Sequence, residues 1–533
     1  MNSRSTTLFQ VDSYLNKTNI SRELELILVA TIFISSLLLR VLFIGLTEFK
    51  RDEAYWCWSA WEWLNGGEFP LRGTKTSVPN TYLGPLTTYL TALAFLIFNP
   101  NPEFGIFMVA WMNSLAVLVV YLTGRDMFDY RAGLIAALLM GFSPWAIIYS
   151  RKIWPQSFLP FTSSIIIFLF YRAINSRKPI YFLVGGFTLG ASLQQHPTAF
   201  LIIPVILILL LINRSQIYSI LIVVLGALAG YFPMLVFDFL NDWSNIQSYI
   251  WVFLNPESTR PRHMSRFTYG YMVLRCFLDI TGGTGIESVY GRFYPSSLMF
   301  LDFFSIEMIL IVVYIFWISF TGFKILRRKK LLIGGNSPHF LLTLWLIIPL
   351  MIHFISGGRI YPHYFIIFYP ANFLAIASLV NHFSQNMLKI PLKIKNYSLK
   401  IPALGILAAF IILFHLITIS SFLYMVKNTG GIGEFGSTLE NKKAAVKWVI
   451  SDEDFHDYRV VVQADYYHTG NYTYQYLFKI HGKEMSEGKP LHYYYILEPE
   501  GSIGEYAMLD EYMGTKIDDY QTFGSIIVIK IKR

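Results

Sequence analysis

Two adjacent carboxylates, Asp52 and Glu53, stand just beyond the first long apolar stretch of the chain. An acid at the edge of an apolar phase is suited to act as a general base, because partial desolvation raises its pKa and lets it accept a proton from a hydroxyl or an amine. In the structural alternative, Asp52 caps a helix at the membrane surface. The tryptophans that follow predict an interfacial aromatic belt, and they are Trp56, Trp58, Trp61 and Trp63.

Two cations, Arg151 and Lys152, lie in a later loop that we predict on the same side of the membrane as Asp52, with Gln156 close behind. Cations are uncommon on the outer side of a membrane, so their presence needs a physical reason. One reason is an anionic group held there, such as a lipid phosphate. The alternative is that both side chains extend to the lipid head groups.

Further polar side chains on the same side lie near two predicted helix ends. One end holds His196, and the other holds Arg359, His363 and Tyr364. The second group offers ligands for phosphate or for sugar hydroxyls. A single histidine such as His196 more often has a structural role. Because all of them share a side with Asp52, we predict one common outer site.

The composition indicates what kind of protein must position these groups. The chain has 533 residues, of which 54% are hydrophobic and only 14% charged, and its mean hydropathy is +0.46. A soluble protein carries about 25% charged residues, so a soluble multidomain enzyme and a disordered chain are both excluded. The two cysteines, Cys57 and Cys276, allow at most one disulfide and no cysteine zinc cluster.

A membrane-spanning helix needs about 20 mostly apolar residues. The hydropathy pattern predicts eleven such spans, at residues 24–46, 104–123, 133–150, 157–172, 180–195, 198–213, 217–237, 303–323, 338–356, 364–382 and 401–426. Arg40 lies late in the first span. An intramembrane charge of this kind indicates a functional residue, or a structural partner of the carboxylates.

The apolar segment 85–98 decides the topology, because every later loop would change sides if it crossed the membrane. Its length is short for a span and suits a re-entrant or interfacial helix. When it does not cross, most Lys and Arg residues of the loops fall on one side, as the positive-inside rule requires. The net charge of +9 therefore reflects cytoplasmic loops, and nucleic acid is not an expected partner.

The predicted topology divides the chain into three parts. Residues 1–22 form a cytoplasmic N-terminus, and residues 23–426 form the membrane domain with outer loops 47–103 and 238–302. Residues 427–533 predict a small extracytoplasmic α/β domain. Its elements are a helix opened by a capping box at Ser437–Glu440 and strands at 459–464, 492–497 and 525–531.

The order and sidedness of several short motifs resemble the GT-C superfamily of polytopic glycosyltransferases, in particular the branch of protein O-mannosyltransferases and the lipid A aminoarabinose transferase. The resemblance covers about residues 23–426. The motifs that carry it are Asp52-Glu53-Ala54-Tyr55, Gly84-Pro85, Gly124-Arg125-Asp126-Met127-Phe128, Ser143-Pro144-Trp145, Tyr149-Ser150-Arg151, His363-Tyr364 and Tyr369-Pro370.

This resemblance implies an all-α membrane protein that transfers a hexose or pentose from a polyprenyl phosphate to a protein, lipid or glycan acceptor. It further implies a location in the cell membrane with the active site on the extracytoplasmic face. Asp52, with Glu53 beside it, matches the acid that deprotonates the acceptor. Arg151 and Lys152 match the side that stabilises the departing phosphate. The sugar carbon would be attacked with inversion.

One position departs from the family pattern. Many relatives carry a second acid near the place where Gln156 stands here. A neutral amide cannot serve as a charged metal ligand, so we expect no obligatory metal and no other cofactor.

The placement of the polar groups also bears on different function classes. A lipid-linked sugar transporter or flippase would place its polar groups near mid-membrane, whereas here they cluster at the outer helix ends. The sequence is also compatible with a polysaccharide ligase or a catalytically inactive scaffold. The chain has no Walker loop, dinucleotide glycine fingerprint or HExxH motif, so soluble nucleotide chemistry has no support.

Overall fold

The computed structural model describes most of the chain, and the statements below apply to the parts that it describes. These parts are residues 20–76, 80–213, 217–255, 265–293, 296–327, 337–356, 360–384, 389–394, 397–431, 435–452, 458–464, 472–487, 492–498 and 517–532. Arg359 lies outside them, so its predicted role has no structural counterpart here.

The described chain is mainly helical. The helices are α1 (Arg22–Val41), α2 (Arg51–Leu64), α3 (Leu86–Ile97), α4 (Pro102–Met127), α5 (Tyr130–Phe142), α6 (Pro144–Tyr149), α7 (Leu159–Ser176), α8 (Pro179–Leu193), α9 (Ile202–Ile212), α10 (Ile217–Gly230), α11 (Phe232–Leu240), α12 (Ser244–Leu254), α13 (Arg266–Gly282), α14 (Glu287–Tyr290), α15 (Ile306–Arg327), α16 (Pro338–Ser356), α17 (Tyr369–Ser384), α18 (Ala403–Thr429), α19 (Leu439–Ser451) and α20 (Tyr472–Lys479). Short 3₁₀ turns lie at Ile44–Leu46, Pro155–Phe158, Pro197–Leu201, Ser296–Asp302 and Pro362–Phe368.

Several of these helices are long and apolar enough to cross a membrane, which makes this a multi-pass membrane protein. Within the described residues there are seven, at Arg22–Val41, Pro102–Met127, Pro155–Ser176, Met299–Ser319, Pro338–Ser356, Pro362–Phe383 and Ala409–Thr429. Helices α10 and α11 form an eighth when taken as one span, bent by 68° at the break between them. The remaining predicted spans coincide with shorter apolar helices, so the number eleven stays a prediction.

The bundle is built around α17, whose side chains are almost all buried. By contrast, α1 exposes Leu26, Ile27 and Ile34 on its outer surface. Apolar side chains facing outward are favourable where the surroundings are lipid tails. Helix α1 therefore presents an apolar face suited to lipid, and it carries the carboxylate loop at its C-terminal end.

Helices α8 and α10 approach closely through facing glycines. A side chain at Gly190 would collide with the carbonyl oxygen of Ala227, and Gly186, Gly226 and Gly230 are equally crowded by the opposite backbone. Small residues four apart allow two membrane helices to pack backbone against backbone. This contact fixes the end of α8, where the Gln194 side chain donates to the Gly230 carbonyl at 2.6 Å.

The C-terminal part forms a five-stranded sheet packed with α19 and α20. Its strands are β3 (Tyr458–Ala464), β4 (Ser486–Glu487), β5 (His492–Glu498), β6 (Ile517–Phe523) and β7 (Ile526–Lys532), after a separate hairpin of β1 (Lys389–Ile394) and β2 (Tyr397–Pro402) between α17 and α18. The order is β4-β3-β5-β7-β6, with β3 and β5 parallel and the other pairs antiparallel. The three predicted strands are confirmed with small shifts of their bounds.

Two details of this part differ from the prediction. The N-cap of α19 is Thr438, whose side chain accepts from Asn441 N–H, and not Ser437. The Ser437 hydroxyl instead lies 2.8 Å from that of Ser525 and ties the helix start to the turn before β7. Helix α20 and strand β6 were not predicted, since β6 is polar and mostly exposed.

Candidate active site

Helix α2 presents the carboxylate pair in its first turn, with Lys50 as the N-cap residue. The backbone N–H of Lys50 donates to Glu53 Oε2 at 2.9 Å. Carboxylates in the first turn are favoured by the helix dipole and by the free N–H groups there. Glu53 is consequently turned back into the protein and buried, while Asp52 is exposed.

The Lys152 ammonium lies between two carboxylates of this segment. Its Nζ atom is 2.8 Å from Glu48 Oε2 and 3.5 Å from Glu53 Oε1. The other oxygen of Glu48 is 2.6 Å from Lys50 Nζ. Glu48, which was not among the predicted residues, thus bridges two ammonium groups, and Lys152 connects the later loop to the start of α2.

Burial and charge shift the pKa values of this cluster in different directions. Burial raises the pKa of Glu53, opposed by Lys152 and reinforced by the negative charges of Glu48 and Asp52. For Glu48, burial is outweighed by Lys152 and Lys50, which lower its pKa. The pKa of Lys152 is raised, because the attraction of Glu48 and Glu53 exceeds the opposite effect of burial. Lys152 is therefore a fixed positive charge at neutral pH.

Asp52 has no hydrogen bond or ion pair to any residue in the described parts of the chain. It lies close enough to Lys152 and Glu53 to act on both electrostatically. An exposed carboxylate that no cation neutralises is free to accept a proton from a second molecule. A general base in the first turn of α2 requires such an arrangement.

Arg151, the neighbour of Lys152, contacts the main chain at the end of α1. Its guanidinium donates to the carbonyls of Arg40 at 3.0 Å, Leu42 at 2.7 Å and Phe43 at 2.7 Å. These are carbonyls at and just beyond the end of α1, which have no partner within the helix. Arg151 is buried and caps α1, so its nitrogens face the protein main chain and not an outer phosphate.

A series of ring contacts connects Lys152 to three other predicted residues. Its ammonium lies 4.4 Å from the centre of the Trp154 ring, and Trp154 contacts His363 with 4.6 Å between ring centroids. His363 in turn contacts His196 at 5.7 Å and Tyr364 at 4.6 Å. The structure therefore brings Lys152, His196, His363 and Tyr364 together, and their role in one shared site stays a prediction.

His196 also has a local structural role. Its Nδ1 atom accepts from the backbone N–H of Thr198 at 3.2 Å and caps the turn that leads into α9. Burial lowers the pKa of His196 to about 3, with His353 adding to the effect. The imidazole is thus neutral at pH 7, and an Nδ1 that accepts leaves the proton on Nε2.

Gln156 lies in the 3₁₀ turn Pro155–Phe158, and its side chain is buried. Its Oε1 atom has no hydrogen-bond partner among the described residues. Gln195 also has an amide atom without a partner in the described structure. Its Oε1 accepts from Thr162, whereas its Nε2 is the unpartnered atom. Both amides retain hydrogen-bonding capacity for a polar ligand.

Arg40 does not pair with the carboxylates. Its guanidinium donates to Ser36 O at 3.0 Å, to Gly141 O at 2.9 Å and to Met140 O at 3.2 Å. It joins α1 to the end of α5 through main-chain carbonyls, so the predicted alternative of a structural pairing with the carboxylates is wrong. Cys57 and Cys276 are both free thiols.

The C-terminal domain packs directly on the carboxylate segment. The backbone N–H of Leu439 donates to Thr47 O at 2.9 Å, and Glu48 forms an antiparallel β-bridge with Thr438. The Tyr476 hydroxyl donates to Pro100 O at 2.5 Å, and its ring contacts Trp58. Sequence reasoning missed this contact, because nothing in the tail marks which loop it covers.

Comparison with known proteins identifies the fold to which these features belong. Residues 79–237 match the model of a family described as dolichyl-phosphate-mannose-protein mannosyltransferase. The crystal structure of ArnT from Cupriavidus metallidurans bound to undecaprenyl phosphate superposes with a TM-score of 0.56, at 12% identity, over 95% of this chain and 97% of that one. The chain has the GT-C fold. The apo form of ArnT superposes similarly, with a TM-score of 0.54.

A curated relative shows similarity over a shorter stretch. Dolichyl-phosphooligosaccharide-protein glycotransferase 3 of Archaeoglobus fulgidus is 28% identical over 148 residues. This match covers 24% of the present chain and only 17% of the relative's length. In the GT-C fold of this chain, Glu48, Asp52 and Glu53 lie in the first loop and at the start of α2, and Lys152 reaches them from the loop between α6 and α7.

Proposed function

We propose that this protein is a membrane glycosyltransferase that moves a sugar from a polyprenyl phosphate to an acceptor outside the cytoplasm. The observation that carries the proposal is the exposed Asp52, which has no side-chain partner among the described residues, beside a partly buried Lys152 that two carboxylates hold in place. The GT-C fold supports it, as does the undecaprenyl phosphate bound to ArnT, a protein of the same fold. The family match to mannosyltransferases agrees with the same class of donor.

In the proposed reaction, Asp52 is the general base. It accepts the proton of an acceptor hydroxyl or amine while the acceptor atom bonds to the anomeric carbon of the sugar. The bond from that carbon to the phosphate oxygen breaks, and the phosphate leaves with the electron pair. A single displacement inverts the configuration at the anomeric carbon. Because a polyprenyl phosphate is already a good leaving group, orientation, one base and charge neutralisation are the contributions that the protein must make.

Lys152 is the residue that we assign to the departing phosphate. It is a fixed cation close to Asp52, and its ammonium is also bordered by Trp154. A phosphate that approaches Lys152 competes with Glu53, whose Oε1 atom is the more distant of the two carboxylate contacts. Glu53 therefore orients the cation, whereas His363, Tyr364, His196, Gln156 and the undescribed Arg359 are proposed to contact the sugar or phosphate.

We further propose that no divalent metal is obligatory. Two carboxylates that face each other across a gap are suited to a divalent ion, but here the Lys152 ammonium lies between Glu48 and Glu53. Gln156 adds an uncharged amide and not a third carboxylate. We expect EDTA to leave sugar transfer unchanged within about twofold. Loss of transfer in EDTA that returns on addition of Mg²⁺ or Mn²⁺ would contradict this.

The proposed acceptor is a protein, a lipid or a glycan, and we place the reaction at the extracytoplasmic face of the cell membrane. The experiment that tests the function uses the purified full chain in lipid nanodiscs with radiolabelled polyprenyl-phosphate hexoses and pentoses and a panel of acceptors. We expect transfer from one donor, and a product whose anomeric configuration, determined by NMR, is inverted. No transfer from any such donor, or donor translocation across vesicles without transfer, would refute the proposal.

A further inference from the structure

Glu48 occupies a central place in the site that neither the motif pattern nor the proposed reaction assigns. It is buried, and its two oxygens are divided between Lys50 and Lys152 at 2.6 and 2.8 Å. Of the two carboxylates on Lys152, Glu48 is the nearer. The position of the Lys152 ammonium therefore depends more on Glu48 than on Glu53.

Glu48 is itself held from outside the membrane domain. It pairs with Thr438 in a β-bridge, and the adjacent N–H of Leu439 donates to the Thr47 carbonyl. A side chain at Gly436 would lie 3.2 Å from Lys50 Cε, so the tail backbone also covers the other ammonium that Glu48 binds. One edge of the C-terminal domain thus lines the segment 47–50.

A second buried ion pair lies behind this edge. Lys442 of α19 is fully buried, with its Nζ atom 2.9 and 3.1 Å from the two oxygens of Glu498. Tyr474 donates its hydroxyl to the same carboxylate. Lys442 also interacts electrostatically with Glu53 and Lys50. Charges of alternating sign therefore continue from the site into the C-terminal domain.

We propose that Glu48 is a positioning residue that holds Lys152 for sugar transfer, and that the C-terminal domain acts on the site by fixing Glu48. This inference rests on the proposed glycosyltransferase function and adds a role for the tail. In that role the domain completes the active site from the outside. The same interface leaves Asp52 exposed, so the acceptor still has access to the base.

The first test replaces Glu48 by Gln, with Glu62→Gln as the matched control because Glu62 is an exposed carboxylate on the same helix as Glu53. The titratable and charged groups that face Glu48 and Glu53 are Lys50, Asp52, Cys57, Tyr149, Lys152 and Lys442. Since the negative charge of Glu48 raises the pKa of Glu53, its removal lowers that pKa. Protonation of Glu53 removes a negative charge next to Asp52 and Lys152, so the acidic limb of the kcat profile follows the pKa of Glu53. We expect kcat to fall about tenfold and that limb to move by about half a pH unit to lower pH.

The second test breaks the contact from the tail. Leu439 is the first residue of α19, a position where proline is well accepted, and Thr438 before it already has the extended backbone that proline demands. Leu439→Pro removes the N–H that donates to Thr47, whereas Leu439→Ala keeps it and loses at least as much side-chain packing. We expect kcat of the Pro variant to be about three- to tenfold below that of the Ala variant, with similar melting temperatures.

The outcomes separate this inference from the proposed function. Wild-type kcat and an unshifted pH profile in Glu48→Gln would overturn the role of Glu48, as would a loss of kcat without the shift. Equal kcat in the two Leu439 variants would overturn the role of the tail. In either case, the proposed function stands if the wild type transfers sugar and Asp52→Asn does not. If the wild type transfers no sugar, the proposed function is refuted.

Discussion

The two ends of the bundle hold their charges in different ways. At the end where α1 begins, two ion pairs each join one cation to one acid, with Arg125 Nε 3.2 Å from Glu25 Oε1 and Arg172 Nε 2.6 Å from Asp126 Oδ2. At the end where α1 finishes, one lysine lies between two carboxylates and Asp52 has no partner in the described structure. The same residue types therefore form closed pairs at one end and an open cluster at the other.

This difference separates charges that stabilise the fold from charges that are available for chemistry. A closed ion pair has little free energy to gain from binding a further ligand. When it is half-exposed, such a pair contributes only about 0 to 1 kcal/mol to stability. A cation shared by two carboxylates can exchange one of them for a phosphate, and an unpaired acid can take a proton. The contrast predicts that substitutions at the two ends affect different measurements.

The largest effect among the cations is expected for Lys152→Met. Loss of the ammonium removes the charge opposite the departing phosphate, and we expect kcat to fall on the order of 100-fold. Because Lys152 lowers the pKa of Glu53, the acidic limb of the pH profile should move to higher pH, opposite to the shift in Glu48→Gln. The control is Lys447→Met, an exposed lysine of α19, which should leave both values unchanged. An unshifted acidic limb would contradict the assignment of Lys152.

A smaller effect on transfer and a larger one on stability are expected for Arg151→Met. The change leaves the Arg40 and Leu42 carbonyls without the donor that Arg151 supplies, which costs about 3 kcal/mol and lowers the melting temperature. Arg172→Met, at the opposite end, should lower stability by less than about 1 kcal/mol. If Arg151→Met instead raised the KM for the donor tenfold at an unchanged melting temperature, Arg151 would be a phosphate ligand as the sequence suggested.

Much of the membrane domain could be predicted because hydropathy and length are local properties. The apolar segments coincide with helices, and segment 85–98 forms the short helix α3. The capping-box pattern predicts the N-cap of α19 one residue too early, since Ser437 and Thr438 are both good caps and only the tertiary partner Ser525 distinguishes them.

The site itself was predicted in part. Residues that are adjacent in a motif stay close together in the fold, but their partners depend on contacts distant in sequence. Arg151 and Lys152 are neighbours with the same charge sign, and only the position of the end of α1 decides that one caps a helix and the other meets carboxylates. Glu48 precedes the recognised motif and has meaning only beside Lys152 and Thr438, so no local signal could have selected it.

The most direct test of the central claim compares one acid from each end of the bundle in the same donor assay. Asp52→Asn should lower kcat by at least about 100-fold, because a general base contributes roughly two to four orders of magnitude. Asp126→Asn, which weakens the closed pair with Arg172, should change kcat by less than about threefold. Equal activity of Asp52→Asn and wild type, or equal losses in the two variants, would contradict the account.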